Sequence, residues 1–206
     1  IISDVYLGNA VENKGPIPAG FDGALEERRF KTNLDKAREF LEKAGYSDGL
    51  SLTLKYKTGY PEHEKIGILF KDNLEEIGVD LQLRKLPVGQ FESGTKEQTL
   101  DFFFYEALGW IATPEYYFNL NFNSDSSANP SGYKNEQVDE MIYPTLTETD
   151  PKKQAEMNAK MQELVLEDAP WIYVCQPNFV LPMRTNVNGY VKQNTELHHF
   201  WLVDKE

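Results

Sequence analysis

Between residues 50 and 86 the period of the apolar positions changes twice. Leu50, Leu52, Leu54 and Tyr56 alternate with polar residues, the period of two that a half-buried strand requires. Beyond Thr58-Gly59, Ile66, Leu69, Phe70, Leu74 and Ile77 fall on one helical face; Pro61 stands where a first turn tolerates it and Gly78 closes the run. Alternation then returns from Val79 to Leu86, with Val79, Leu81 and Leu83 set against charged or amide residues, the pattern of a strand near a sheet edge. Strand, helix and strand of these lengths predict a βαβ unit with parallel strands and a right-handed crossover.

The flanking segments are read in the same way. Gly and Pro are too dense in Val11 to Gly23 (VENKGPIPAGFDG) for regular structure, so residues 1–34 read as a linker. Asp35 as N-cap, Ala37, Phe40, Leu41 and Ala44 at helical spacing, and Gly45 as the stop predict a short amphipathic helix. Leu100 to Tyr105 (LDFFFY) is an apolar run fit for a buried third strand. An aromatic-rich loop from Gly109 leads to the turn Asn129-Pro130-Ser131-Gly132, after which Asn135 caps a helix that Pro144 ends or kinks. Asp150 with Pro151 begins a longer helix whose Met157, Met161, Leu164 and Val165 share a face, ending at Ala169-Pro170. Trp171 to Cys175 (WIYVC) predicts a strand with Phe179 to Met183 beside it, and a turn at Asn188-Gly189 precedes a strand-like HHFWLV.

At 206 residues and 40% hydrophobic, the chain can bury one sizeable core. Its formal net charge of −12 argues against nucleic acid as a partner, because phosphate recognition needs clustered Lys and Arg. Cys175 is the only cysteine, which excludes an intrachain disulfide and a metal site of paired cysteines. No apolar run approaches the roughly twenty residues of a membrane span. The first residues lack the zones of a secretion signal and start at Ile1, so the sequence reads as part of a longer protein.

Little here suggests catalysis. Cys175 lies in an apolar run and reads as an inert thiol, His63 reads as a solvated first-turn residue, and His198 and His199 face opposite ways on a strand, so they do not chelate one metal together. Glu75-Glu76 and Asp139-Glu140 read as solvated helix faces. No catalytic residue, metal ligand or cofactor is assigned. Trp110, Tyr116, Tyr117 and Phe118 offer faces for stacking a ligand, with packing beneath the loop as an equal alternative. Asn129 and Tyr133 read as turn residues, and Arg184 either meets an anionic group or caps a strand end.

Taken in order, VYLGNAVENKGPIPAG from Val5, LDKAREFLEKAGYSDG, LEEIGVDLQL, the Gly109-Trp110 pair, the Asn-Pro-Ser-Gly-Tyr turn and TDPKKQAEMNAKMQELVLEDAPWI resemble the C-terminal lobe of the family 5 solute-binding proteins, the dipeptide, oligopeptide and nickel receptors of ABC importers. The resemblance implies an α/β fold, one lobe of a type II periplasmic-binding-protein-like fold with a mixed sheet flanked by helices. Residues 35–186 would form the ligand-binding lobe, and 187–206 a tail returning toward a missing N-terminal lobe. It further implies a substrate-binding component that captures a peptide or related small solute between two lobes and delivers it to a membrane permease. The location implied is the periplasm, or the outer face of a Gram-positive cell with a lipid anchor.

The ligand loop the resemblance implies comprises Trp110, Ile111, Ala112, Thr113, Glu115, Tyr116 and Tyr117. In peptide-binding relatives the third residue after the loop Trp is often an Asp that pairs with the peptide ammonium. Here it is Thr113, which can hydrogen-bond but cannot neutralise a charge, and Glu115 is the nearby substitute. Two alternatives stay open: a receptor for an oligosaccharide or other uncharged solute, and a stand-alone protein-interaction module.

Overall fold

The computed structural model describes residues 1–107, 111, 113–192 and 199–206. Its elements in chain order are β1 (Ala10–Glu12), α1 (Leu34–Lys43), β2 (Leu50–Lys57), α2 (Pro61–Glu75), β3 (Val79–Leu86), α3 (Val88–Lys96), α4 (Pro114–Asn121), α5 (Glu136–Thr147), α6 (Pro151–Asp168), β4 (Cys175–Pro177), β5 (Val187–Asn188), a 3-10 turn at Phe200–Leu202 and β6 (Asp204–Lys205). The predicted βαβ unit is present: β2 and β3 run parallel in a register that sets Leu50 against Val79 and Lys57 against Leu86, with α2 between them in sequence. Leu54 and Tyr56 of β2 and Val79, Leu81 and Leu86 of β3 are buried, joined by Ile66 of α2 and Phe91 of α3. Gly67 is the point of closest approach, since a Cβ there would come within 2.8 Å of the Leu83 side chain.

Among the described residues the strands form three two-stranded sheets, β2-β3 parallel and β1-β4 and β5-β6 antiparallel. Both pairing senses expected of a mixed sheet therefore occur, in separate small ladders. β3 pairs on one side with β2, as its edge pattern predicts.

The larger core lies under α4, α5 and α6. Phe118 and Phe122, Tyr133, Val138 and Ile142, and Met161 and Val165 pack together with Ile17, all less than 9% exposed. Ile17 belongs to the Gly/Pro-rich segment read as a linker, yet it is 1% exposed and its N–H donates to Gln162 Oε1 at 3.4 Å. The expectation of no regular structure fails at the start of that segment, where Val11 and Glu12 belong to β1 and pair with Gln176 and Cys175, and the rest is held by packing rather than by a ladder. Asn135 and Asp150 cap α5 and α6 as predicted, each side chain accepting from two N–H groups of the first turn.

Several elements depart from the sequence reading, each for a local reason. Asn33 rather than Asp35 caps α1, its Oδ1 accepting from Lys36 N–H at 2.9 Å, while Asp35 pairs with Arg38. None of the α1 residues is fully buried, and Phe40 is left 67% exposed. The LDFFFY run forms a single parallel bridge, Lys55 with Phe103, instead of a strand. α3 was not predicted, because Gly89 and Gly94 break its apolar periodicity. The aromatic loop becomes helix α4 after Thr113. Pro144 does not end α5, which runs on to Thr147; the proline stands on an exposed face where water can take the carbonyl it leaves unbonded. The WIYVC strand shrinks to β4, because Trp171 and Tyr173 use their rings against the core while the backbone ladder begins only at Cys175. Among the described residues 179–183 form no strand, and in HHFWLV the described part turns as a 3-10 helix, so the strand expected there is absent from 199–203.

Candidate functional site

Helix α4 presents the residues that the resemblance picks out. Thr113 is its N-cap, in extended geometry and without a side-chain capping bond, and Pro114 occupies the first turn. Ile111 is 54% exposed, and Thr113 and Tyr116 are half-buried. Tyr117 turns the other way, 8% exposed with its ring edge-on to Phe21 at 5.5 Å. Glu115 is 7% exposed, and its Oε2 accepts a hydrogen bond from Asn158 Nδ2 of α6 at 3.2 Å. The helix thus splits the expected set: Ile111, Thr113 and Tyr116 keep access to solvent, whereas Glu115 and Tyr117 hold α4 to its neighbours. Trp110 and Ala112 lie outside the described residues.

The Asn-Pro-Ser-Gly-Tyr turn behaves as turn chemistry predicts. Asn129 is buried, and its Nδ2 donates to the Tyr133 carbonyl at 2.8 Å while its Oδ1 accepts from the Ser131 hydroxyl at 3.1 Å. Gly132 takes φ +63, a left-handed conformation that glycine adopts without strain. The Tyr133 hydroxyl donates to Asp168 Oδ2 at 2.6 Å, and Asn135 Nδ2 reaches the same oxygen at 2.7 Å. One carboxylate at the end of α6 therefore ties the turn to the start of α5, and those two bonds hold the Asp168 carboxyl below the usual range.

A second concave surface was not anticipated from sequence. A cavity of about 370 Å³ opens where β2 ends and α2 begins, lined by Lys57, Tyr60, His63, Phe91, Tyr105 and Glu106 among others. His63, expected to be solvated, is 7% exposed: its ring stacks on Tyr60 with centroids 4.9 Å apart and on Phe104 at 4.8 Å. The i, i+3 spacing of Tyr60 and His63 at a helix start was the available signal, since it places both rings on one face. His63 Nε2 lies 4.0 Å from Glu106 Oε1, and Nδ1 is buried with no hydrogen-bond partner among the described residues. Burial pushes the imidazole below its ordinary range, and burial pushes the Glu106 carboxyl up, opposed by a hydrogen bond from Tyr60.

These shifts have a measurable sign. A histidine whose folded value is depressed contributes stability that is complete above its unfolded value, near 6.5, and lost as pH falls through the lower folded value. His63→Phe keeps the ring stack and removes the proton. The stability difference between His63→Phe and the parent is expected to be constant above about pH 6.5 and to shift in favour of the phenylalanine variant as pH falls below it, read by urea denaturation. A difference independent of pH would mean that His63 is not held neutral by burial.

Among the described residues the remaining candidates do not come together. The Cys175 thiol is free, half-buried and pushed up by burial, which keeps it protonated and unreactive. His199 stacks on Trp201 at 4.3 Å, and His198 lies outside the described residues. Among the described residues no group of three His, Cys, Asp or Glu is placed to hold a metal ion, and no helix is long and apolar enough to cross a membrane.

Comparison with known proteins places this geometry in a family. Residues 1–129 match the model of the bacterial extracellular solute-binding proteins, family 5 Middle. The chain is 28% identical over 200 residues to the probable D,D-dipeptide-binding periplasmic protein DdpA of Escherichia coli strain K12, covering 93% of this chain and 38% of that protein. It is 25% identical over 212 residues to the glutathione-binding protein GsiB of Pectobacterium atrosepticum, covering 97% and 41%. The solved structure of Helicobacter pylori DppA in complex with the peptide STSA aligns with all of this chain and 41% of its own, at a TM-score of 0.90 and 23% identity. The chain spans about two fifths of the length of these relatives.

Proposed function

The chain belongs to the bacterial extracellular solute-binding proteins of family 5, and from that membership we propose that it is the C-terminal lobe of the substrate-binding component of an ABC importer for a peptide-sized solute. The family is one of transport receptors rather than enzymes, and its members work in the periplasm or outside the cell. The observation that carries the reading is the coverage: 93% of this chain aligns with only 38% of a periplasmic relative named for D,D-dipeptide binding. A second lobe would supply the opposite wall of the cleft, and closure around a hinge would present the ligand to a membrane permease. The exposed Phe200 (69%) and Trp201 (75%) support a tail that meets such a lobe, because exposed apolar clusters mark interaction surfaces.

On this reading Ile111, Thr113 and Tyr116 face the ligand, Glu115 and Tyr117 support them from behind, and Trp110 and Ala112 of the same loop lie outside the described residues. One observation favours the alternative of an uncharged solute. Thr113 carries no charge, and the carboxylate of Glu115 is already engaged by Asn158 in a buried seam.

Thermal unfolding of the complete receptor carrying this chain separates the two, with dipeptides, glutathione and neutral oligosaccharides as the panel. A ligand at a hundred times its Kd stabilises by about 2.7 kcal/mol, an easily read shift. Stabilisation by peptides or glutathione supports the peptide receptor. Stabilisation by oligosaccharides alone replaces it with the uncharged-solute reading.

A further inference from the structure

Helix α6 turns Asn158, Met161, Gln162 and Val165 inward, the i, i+3, i+4, i+7 face on which a helix carries its apolar residues. An amide at Asn158 breaks that pattern. The residue is 4% exposed, and a polar group buried so deeply is tolerated when a hydrogen bond offsets its desolvation. The bond crosses to another helix: Asn158 Nδ2 donates to Glu115 Oε2 of α4 at 3.2 Å. Glu115 is itself buried, and among the described residues no Lys, Arg or His nitrogen lies within 4.0 Å of its carboxylate. The amide is oriented for this one bond. Its Oδ1 is buried with no hydrogen-bond partner among the described residues, and turning the amide over would set that oxygen against the carboxylate, acceptor facing acceptor.

The place of Glu115 on α4 gives the bond its consequence. The helix has eight residues, too few to hold a position by itself, so what it is tied to decides where it lies. Phe118 sinks the body of the helix into the core. The N-terminal end has no such anchor of its own: Thr113, the N-cap, makes no side-chain capping bond, and Pro114 has no N–H to offer. Among the described residues the Asn158–Glu115 bond is the hydrogen bond that ties the first turn to another element. Apolar packing is non-directional, whereas this bond fixes one end of the helix at one point.

We propose that Asn158 and Glu115 form a buried positioning pair that fixes the first turn of α4 and thereby presents Thr113 and Tyr116 to the cleft. The inference rests on the receptor function proposed above and gives a part in binding to a residue of α6, behind the wall that meets the ligand. Thr113 stands two residues before Glu115 and Tyr116 one after it. At about 1.5 Å of rise per residue, an anchor this near sets where both side chains emerge, and binding groups need to be held to about 0.5 Å.

Exchanging donor and acceptor tests the pair in the complete receptor. Asn158→Asp sets two carboxylates against each other, whereas the double variant Glu115→Gln with Asn158→Asp restores the bond in reverse, the glutamine amide donating to the aspartate. Hydrogen exchange at the amides of Phe118 and Asn119, which close the first turn onto the carbonyls of Pro114 and Glu115, reads the anchoring without a ligand. At pH 8, where a shared proton does not stand in for the lost donor, Asn158→Asp should speed that exchange about tenfold to a hundredfold, the worth of a charged hydrogen bond. The amides of α5 should be unchanged, and the double variant should return to the parent rate. Calorimetric titration of alanyl-alanine well below the melting temperature should follow the same order, about tenfold weaker in Asn158→Asp and recovered in the double variant. A general loss of stability would speed exchange in α5 as well and leave the affinity of the folded protein alone. If Asn158→Asp does not fold, Asn158→Leu removes the donor without adding a charge and is read in the same way.

Exchange and affinity alike in all three proteins would overturn the pair. So would faster exchange with affinity unmoved, because the helix end would then be held to no effect on the ligand. If alanyl-alanine does not bind the parent and the neutral trisaccharide maltotriose does, the peptide-receptor reading has failed on its own, and maltotriose becomes the probe on which the pair is judged.

Discussion

Phe118→Ala is expected to destabilise the chain by about 3–5 kcal/mol, the cost of emptying a fully buried aromatic site. Phe118 is 0% exposed, and its ring lies 6.0 Å from that of Phe122, centroid to centroid, within the cluster that joins α4, α5, α6 and Ile17. Its neighbours come from four separate parts of the sequence, so no single element can collapse into the cavity without dragging the others. Against a total stability of about 5–15 kcal/mol for a domain, the loss is a large fraction. Phe40→Ala is the control: Phe40 is 67% exposed on α1, and its loss should fall within about 0.5 kcal/mol. Urea denaturation of both variants reads the contrast as a displaced midpoint at unchanged slope. Equal midpoints would mean that the α4 helix is not anchored through this ring, and the placement of Thr113 and Tyr116 would lose its support.

The βαβ unit was legible because its signals are local and agree with one another. Alternating Leu residues, an amphipathic run and the stop at Gly78 all point to β2, α2 and β3, and parallel pairing follows from a connection too long for a hairpin. The caps of α5 and α6 were legible for the same reason, since Asn135 and Asp150 act on N–H groups two and three residues away. Tertiary packing decided the rest. Trp171 and Tyr173 have strand propensity, but their rings are used against the helices, and a strand exists only where a partner such as β1 is present. Pro114 to Asn121 mixes apolar and polar residues with little periodicity, and its helix forms because Phe118 and Tyr117 find a core and Phe21.

The site divides along the same line. The Asn129 turn was read correctly from its own residues, whose hydrogen bonds are short-range. His63 was misread because its burial depends on Phe104, 41 positions along the sequence and brought near by the Lys55–Phe103 bridge. The role of Glu115 was equally hidden, as its partner Asn158 lies on another helix. Residues whose environment is assembled from distant segments leave no trace in a local pattern, and the cavity around Glu106 is composed almost wholly of such residues.

The largest expected effect concerns binding. If the complete receptor holds a dipeptide with a Kd of about 1 μM, near −8 kcal/mol, the 206-residue chain alone should bind it more weakly than about 1 mM. A ligand enclosed between two lobes buries most of its surface, whereas one wall offers contact on one side only. Sharing the contacts equally would leave about −4 kcal/mol, the equivalent of about 1 mM. The actual value should be poorer still, because the cost of immobilising the ligand is incurred in full whichever number of walls it meets. Titration of alanyl-alanine into the chain alone and into the complete receptor measures the ratio directly. Micromolar binding by the 206 residues on their own would show that one wall suffices, and the enclosing-cleft mechanism would have to be abandoned in favour of a self-contained binding module.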